Sequence, residues 1–387
     1  MNKKRAIFLI LGLIIWGFLG FAWMKYGGLI KLVLIKPSVT ITDGVLKAPD
    51  GFKISVFAEG LPGARVIAPD TFGNLWVSQM SEGVVSLLEI DKGLGKVSNV
   101  SPIFTGLNRP HGLAFHPKFP FRLYIAEEDK IISVPTYSEP DTIKIVDLPS
   151  GGNHKSRTIG FGPDGRFYAS IGSTCNVCHE TDDRRAAILV GDGDGGNLKV
   201  LAKGLRNSVF FTWLGDKLFA TDMGRDYLGD DLPPDEINIV REGNYGWPIC
   251  YGKNIHDEDF DKNVYFRNPC MEPFETPSYI DIPAHSAPLG LAFIPSGSAW
   301  PKDYWNDLLV AYHGSWNRSV PTGYKVVRFK FNIQGEYEGQ VDDFITGFIK
   351  DGNVIGRPVD IKVSPDGYAY ISDDYAGVIY KISNIKN

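Results

Sequence analysis

The chain carries no surplus of positive charge. Its 40 lysines and arginines stand against 45 aspartates and glutamates, a formal net charge of -5. That balance lacks the electrostatic footprint of a nucleic-acid-binding protein. Helical periodicity is all but absent beyond residue 23, so amphipathic helices do not build the body of the protein. With 43% hydrophobic and only 22% charged residues, the composition also excludes a disordered chain. Cysteine is scarce, four in 387 residues. Cys250 and Cys270 flank a polar, loop-like stretch and are expected to close it as a disulfide in an oxidising compartment. Cys175 and Cys178 form a CxxC that His179 extends to CxxCH, the spacing of c-type haem attachment. A haem module brings its own small helical domain, and nothing around residues 160–220 reads as one. A local disulfide or a reduced pair are the other readings of that motif.

Only one long apolar run is present. Ala6 to Trp23 is unbroken for 18 residues behind Lys3-Lys4-Arg5. A membrane span takes roughly 17–25 such residues, and a signal-peptide core usually about 7–15. No small-x-small cleavage site follows. Residues 1–28 are therefore expected to form an uncleaved transmembrane helix or signal-anchor, a cleaved signal peptide being the alternative, with 29–47 as a linker. The basic lead should stay cytoplasmic, leaving the remainder at the inner membrane's outer, periplasmic face.

What fills residues 48–387 is repetition. An alternating apolar run, a Pro/Asp/Gly/Asn turn and a second alternating run recur at 67–77, 112–125, 158–169, 210–220, 290–310 and 359–371. Most copies are roughly 45–60 residues apart, the range of a four-stranded propeller blade. The gap between the fourth and fifth is longer and contains the Cys250–Cys270 segment. The spacing predicts an all-β, six-bladed β-propeller, with Phe52 to Ala58 as the strand that closes the ring.

Functional residues are expected on the loops at one end of such a ring. Gly151-Gly152-Asn153-His154-Lys155-Ser156-Arg157 presents a histidine and an arginine just before a strand, a suitable place for a general base. Arg206, Lys325 and Arg357 fall at corresponding loop positions of three blades. Three converging cations suit a small, multiply anionic ligand. The acidic stretch from Asp222 to Glu236 suits a hard cation such as Ca²⁺, although it has neither the spacing nor the flanking helices of an EF-hand. A solvated acidic loop is the alternative.

These motifs together resemble the pyrroloquinoline-quinone (PQQ)-dependent glucose/sorbosone dehydrogenases over roughly residues 48–385. The resemblance rests on 151–157, Gly-Leu-Arg-Asn at 204–207, Asp-Leu-Pro-Pro-Asp-Glu-Ile-Asn at 231–238 and Gly-Asn-Tyr-Gly-Trp-Pro at 243–248. Pro-Ala-His-Ser-Ala-Pro-Leu-Gly at 283–290 and His-Gly-Ser-Trp-Asn-Arg at 313–318 are similar to the sorbosone branch.

The resemblance implies His154 as general base and Arg206 as a catalytic residue that polarises the quinone. It implies Arg206, Asn207, Lys325 and Arg357 as cofactor contacts, with Arg157 beside them. Carbonyls of the Asp230–Asp231 turn would bind a Ca²⁺ on the quinone. Asp235, Glu236 and Tyr245 would hold a second, structural Ca²⁺. Two departures stand out: Ser173 occupies a position that is acidic in the glucose enzymes, and Val359 replaces a second cofactor-binding arginine.

The resulting expectation is a PQQ- and Ca²⁺-dependent oxidoreductase of a sugar or sugar-derived aldehyde, passing electrons to a respiratory quinone or cytochrome. A non-catalytic ligand-binding propeller and a Ca²⁺-dependent lactonase-type hydrolase are the alternatives. Failure to bind the quinone would favour the first, and turnover without an electron acceptor the second.

Overall fold

The computed structural model describes residues 44–385 except 139, 140 and 274. The expected anchor, residues 1–28, and most of the linker lie outside the described residues. Among the described residues no helix is long and apolar enough to cross a membrane.

Six antiparallel sheets of four strands are joined in sequence, and one of them carries a short fifth strand. The predicted strand–turn–strand units are the first two strands of the six blades. Blade 1 runs Ala64–Pro69, Leu75–Gln79, Val84–Asp91 and Lys96–Phe104. Its second strand is buried at every position while its outer strand is largely exposed. A blade is covered on both faces by its neighbours near the axis, so its inner strands read as continuous apolar runs. The outermost strand meets water and alternates.

Phe52–Ala58 pairs antiparallel with Val378–Asn384, setting Ile54 opposite Ile382. The first described strand thus completes the last blade, and the ring closes as the sequence predicts. Closure covers the edge of Val378–Asn384 and ties the N-terminal and C-terminal ends of the described chain into one blade.

Aromatic residues join the blades. Phe219, Phe293 and Phe331 meet edge to face between blades 4 and 5. Phe161 meets Tyr124 and Phe167 edge to face between blades 2 and 3, and Tyr124 and Phe167 are tilted against each other. The fully buried ones, Phe219 and Phe167, each contribute roughly 1.5–3 kcal/mol. Close approach of blades also requires small residues. A Cβ on Gly112 would lie 2.7 Å from the Arg157 carbonyl oxygen in the next blade.

The long gap between the fourth and fifth copies is an insertion between two strands of blade 4, Asp235–Val240 and Ile280–Ile282. Within it Gly243–Asn244 adds a short parallel strand to blade 3, and Cys250 is bonded to Cys270.

Candidate active site

In an antiparallel blade, the loop into its first strand and the loop joining its second and third strands open on the same face. The sequence motifs fall on these loops. They surround a cavity of about 290 Å³ whose walls include His154, Arg206, Asn207, His313, Asn317 and Arg357.

His154 sits between blades 2 and 3. Its Nδ1 lies 2.9 Å from Ser173 Oγ and 3.1 Å from the Ser173 carbonyl. Ser173 Oγ donates its own proton to the Cys175 carbonyl at 2.7 Å. Both neighbours are therefore acceptors toward the ring, which places the imidazole proton on Nδ1. Nε2 is left with a lone pair and makes no hydrogen bond among the described residues. Burial, then the Arg206 guanidinium, push the His154 pKa down to about 3. The imidazole is neutral at ordinary pH. It packs so closely that a Cβ on Gly172 would come within 2.6 Å of His154 Cβ and of Asn207 Oδ1. That explains glycine at the end of the neighbouring strand.

Arg206 and Asn207 join blades 3 and 4. Their backbone N–H groups donate to the two oxygens of Asp222, at 2.9 and 2.7 Å. The guanidinium pairs with Asp226 at 3.1 Å. Asp226 also accepts a hydrogen bond from Asn317 Nδ2 at 2.9 Å, which leaves Asn317 Oδ1 buried and without a partner. The acidic stretch 222–236 thus begins by orienting cationic and amide groups of the cavity.

Arg357 enters ahead of blade 6. Its Nε and Nη2 donate to the carbonyls of His313 and Gly314 at 3.0 and 2.6 Å, and its ring-facing edge lies over Tyr324. His313 is held by Asp374 at 2.9 Å, itself paired with Arg65 at 2.9 Å.

The cavity therefore brings together His154, Arg206, Asn207 and Arg357. Other residues singled out in the sequence lie elsewhere. Arg157 is fully buried and donates to the carbonyls of His154, Ser156 and Pro149 at 2.8–2.9 Å, so it props the base from behind. Lys325 does not line the cavity; its Nζ pairs with Asp343 at 2.6 Å. Val359 is buried in the apolar core.

Asp230 accepts from the Ser319 N–H at 3.1 Å and Asp231 pairs with Arg318 at 2.6 Å, outside the cavity wall. Asp235 and Glu236 are adjacent on a strand and point to opposite faces. Asp235 lines the cavity and accepts from the Gly224 and Ala287 N–H groups. Glu236 and Tyr245 face a separate space of about 20 Å³ beside Asp222 and Asp257. Burial raises both Asp235 and Glu236 to about 7.

Cys175 and Cys178 are bonded to each other, so neither thiol is free to attach a haem. The sequence reading assigned no individual role to Asn176 or Asp374, nor to Asp226 and His313 within their motifs. The motif at 313–318 was the available signal for His313 and Asn317.

Comparison with known proteins agrees with this architecture. A protein of Borreliella burgdorferi with no characterised function is 31% identical over 389 residues, covering 92% of this chain and 97% of that one. A pyrroloquinoline quinone-dependent pyranose dehydrogenase of Coprinopsis cinerea is 26% identical over 412 residues, covering 88% of this chain. The chain spans 55% of that relative's length. The holo PQQ domain of the Coprinopsis cinerea pyranose dehydrogenase superposes with a TM-score of 0.72 at 22% identity, covering 87% of this chain and 97% of the domain. That likeness establishes the propeller. Residues 46–385 match the TrAA12-like family model, and the chain belongs to that family.

Proposed function

We propose that this protein oxidises a sugar or sugar-derived aldehyde with PQQ, His154 taking the hydroxyl proton. One observation carries the reading. His154, whose Nε2 keeps a lone pair and makes no hydrogen bond among the described residues, lines a cavity walled also by two fixed guanidinium groups. The resemblance seen in the sequence and the Coprinopsis cinerea relative support the same chemistry.

The donor set fits PQQ, a planar quinone with three carboxylates. Arg206 and Arg357 provide positive charge held by two or more hydrogen bonds each. Lys325, engaged by Asp343, does not line the same cavity. The buried Asn317 Oδ1 awaits a donor from a bound molecule. When bound, PQQ supplies the hydride acceptor. His154 Nε2 accepts the proton of the substrate hydroxyl, and Ser173 keeps the ring in the tautomer that allows it. Arg206 sets positive charge where negative charge develops. Trp316 is 67% exposed at the cavity wall and meets Tyr227 edge-on at 5.9 Å. That pair offers an apolar, polarisable face to the C–H surface of a sugar ring. The named dehydrogenase relative acts on pyranose, which favours a sugar over sorbosone.

The acidic residues do not fit a side-chain cage for Ca²⁺, which takes six to eight oxygens. Among the described residues the one cluster of three metal-capable side chains is Cys175, Cys178 and Glu180, and its thiols are consumed in the disulfide. Ca²⁺ enters the reading through the family resemblance alone, and no step is derived through it. An anchor at residues 1–28, a periplasmic site and a quinone or cytochrome acceptor complete the proposal. They rest on the basic lead and apolar run.

The test is reconstitution of the full chain in detergent with PQQ, with and without Ca²⁺. Dye reduction is followed across aldoses and aldehydes. Cofactor-dependent turnover that His154→Ala abolishes supports the reading. Lactone hydrolysis without any acceptor replaces it with a hydrolase.

A further inference from the structure

The CxxC motif is not absorbed by the function above, yet one of its residues touches the cavity's machinery more than any other. Five hydrogen bonds converge on Asn176. Its backbone carbonyl accepts from Arg206 Nε at 2.8 Å and from Trp247 Nε1 at 3.3 Å. Its Oδ1 accepts from Arg206 Nη2 and from the Asp226 N–H, both at 2.8 Å. Its Nδ2 donates to the Asp226 carbonyl at 3.1 Å.

A guanidinium has five N–H bonds. In Arg206 the Nε hydrogen goes to the Asn176 carbonyl. The two on Nη2 go to Asn176 Oδ1 and Asp226 Oδ2, and one on Nη1 to the Met223 carbonyl at 3.3 Å. One hydrogen on Nη1 is left over. Asn176 takes the edge of the guanidinium remote from that hydrogen, and so fixes the plane in which it points.

The loop that carries Asn176 is itself tied down. Cys175 and Cys178 close it on either side. Just before it, the Thr174 N–H and Oγ1 donate to the Glu180 carboxylate at 2.6 and 2.9 Å. The Cys175 carbonyl also anchors the Ser173 hydroxyl that faces His154.

We propose that Asn176, braced by the Cys175–Cys178 disulfide, is a positioning residue that aims Arg206 at the ligand in the cavity. The inference deepens the PQQ reading and rests on it for the ligand's identity. The positioning of Arg206 itself has a readout that needs no cofactor. Arg206, Arg157 and Arg185 are the cations that, after burial, hold the His154 pKa down. If Arg206 swings away, the His154 midpoint moves up.

The experiment compares the full-length wild type with Asn176→Ala, Arg206→Ala and the double variant. PQQ affinity is read by fluorescence quenching, and the His154 imidazole by NMR titration without cofactor. Asn176→Ala should weaken PQQ binding about tenfold or more, the scale of a lost charged hydrogen bond. It should add nothing further to Arg206→Ala. It should also raise the His154 midpoint in the cofactor-free protein.

Affinity within twofold of wild type together with an unmoved midpoint would overturn the proposal, as would additive losses in the double variant. Should wild type bind no PQQ, the functional reading falls while the NMR midpoint still decides the role of Asn176. Should Asn176→Ala fail to fold, Cys175→Ser/Cys178→Ser is read in the same two ways. A wild-type-like result there removes the disulfide brace from the account.

Discussion

Ser173 Oγ accepts the Nδ1 proton of His154 at 2.9 Å while donating its own proton to the Cys175 carbonyl. The hydroxyl does what a neutral group can: it fixes the tautomer without adding charge. Ser173→Ala keeps the Ser173 carbonyl bond to Nδ1 and should lower kcat by roughly tenfold, the lower end of losses from orienting residues. Ser173→Asp should instead raise the His154 pKa from about 3, because a carboxylate favours the imidazolium. Steady-state dye reduction with PQQ checks the first, and imidazole NMR titration of the cofactor-free protein checks the second. An unmoved midpoint in Ser173→Asp would separate position 173 from the base.

Arg157 lies behind the base. Its guanidinium satisfies three carbonyls in a fully buried setting, so removing it strands acceptors that each cost about 1–3 kcal/mol to leave unpaired. Arg157→Ala should cost on the order of 3 kcal/mol or more in urea unfolding. Arg157→Lys, with fewer donors in a different geometry, should recover only part of that.

The account separates the cations. Arg357→Ala should weaken PQQ binding by about tenfold or more, since its guanidinium is held at the cavity wall. Lys325→Ala should leave affinity within about twofold, because Nζ is engaged by Asp343 outside the cavity and a half-exposed pair is worth little. Equilibrium titration of the two variants distinguishes them. A large loss in Lys325→Ala would return the third cation to the site.

Lys325 also shows where legibility stopped. The ring was readable because apolar alternation and turn residues recur with blade spacing, and because a lone early strand, Phe52–Ala58, matched the open edge of the last blade. His154, Arg206, Asn207 and Arg357 were readable because each interrupts that pattern at a loop on the cavity face. Sequence spacing says which loop a residue is on, not which partner takes its charge. Asp343, on the outer strand of the same blade, decided Lys325. The acidic stretch was open to the same ambiguity: the carboxylate of Asp222 is used by backbone N–H groups, and those of Asp230 and Asp231 by the 318–319 turn. Asn176 is not legible because its partners, Arg206, Asp226 and Trp247, lie 30 or more residues away in sequence.

Stability should depend on pH through buried groups of opposite sign, of which Asp373 and His154 are one pair. Asp373 accepts hydrogen bonds from the Arg357, Tyr375 and Ala376 N–H groups, and burial still raises it from 3.8 to about 7. Its folded form binds the proton more tightly than the unfolded chain does. Its contribution is therefore complete below 3.8 and lost as pH rises through 7. His154, lowered from 6.5 to about 3, contributes stability above 6.5 that is lost as pH falls toward 3. Between 3.8 and 6.5 the two slopes oppose. Asp373→Asn should remove one of the slopes that oppose His154, alongside those of Asp235 and Glu236, so the variant's stability shifts toward a more positive dependence on pH than wild type in that window. Urea midpoints at half-unit pH intervals test this, and an unchanged slope would contradict it.

The central claim is that Nε2 of His154 takes the substrate proton in a cavity that binds PQQ. The most direct measurement is dye reduction by an aldose with the full chain reconstituted with PQQ, in wild type and His154→Ala, with PQQ affinity titrated in parallel. The account predicts PQQ-dependent turnover in wild type. In the variant, kcat should fall by about 10²–10⁴, the range for general-base loss, with affinity largely kept. Absence of PQQ-dependent turnover in wild type, or equal turnover in the variant, would contradict it.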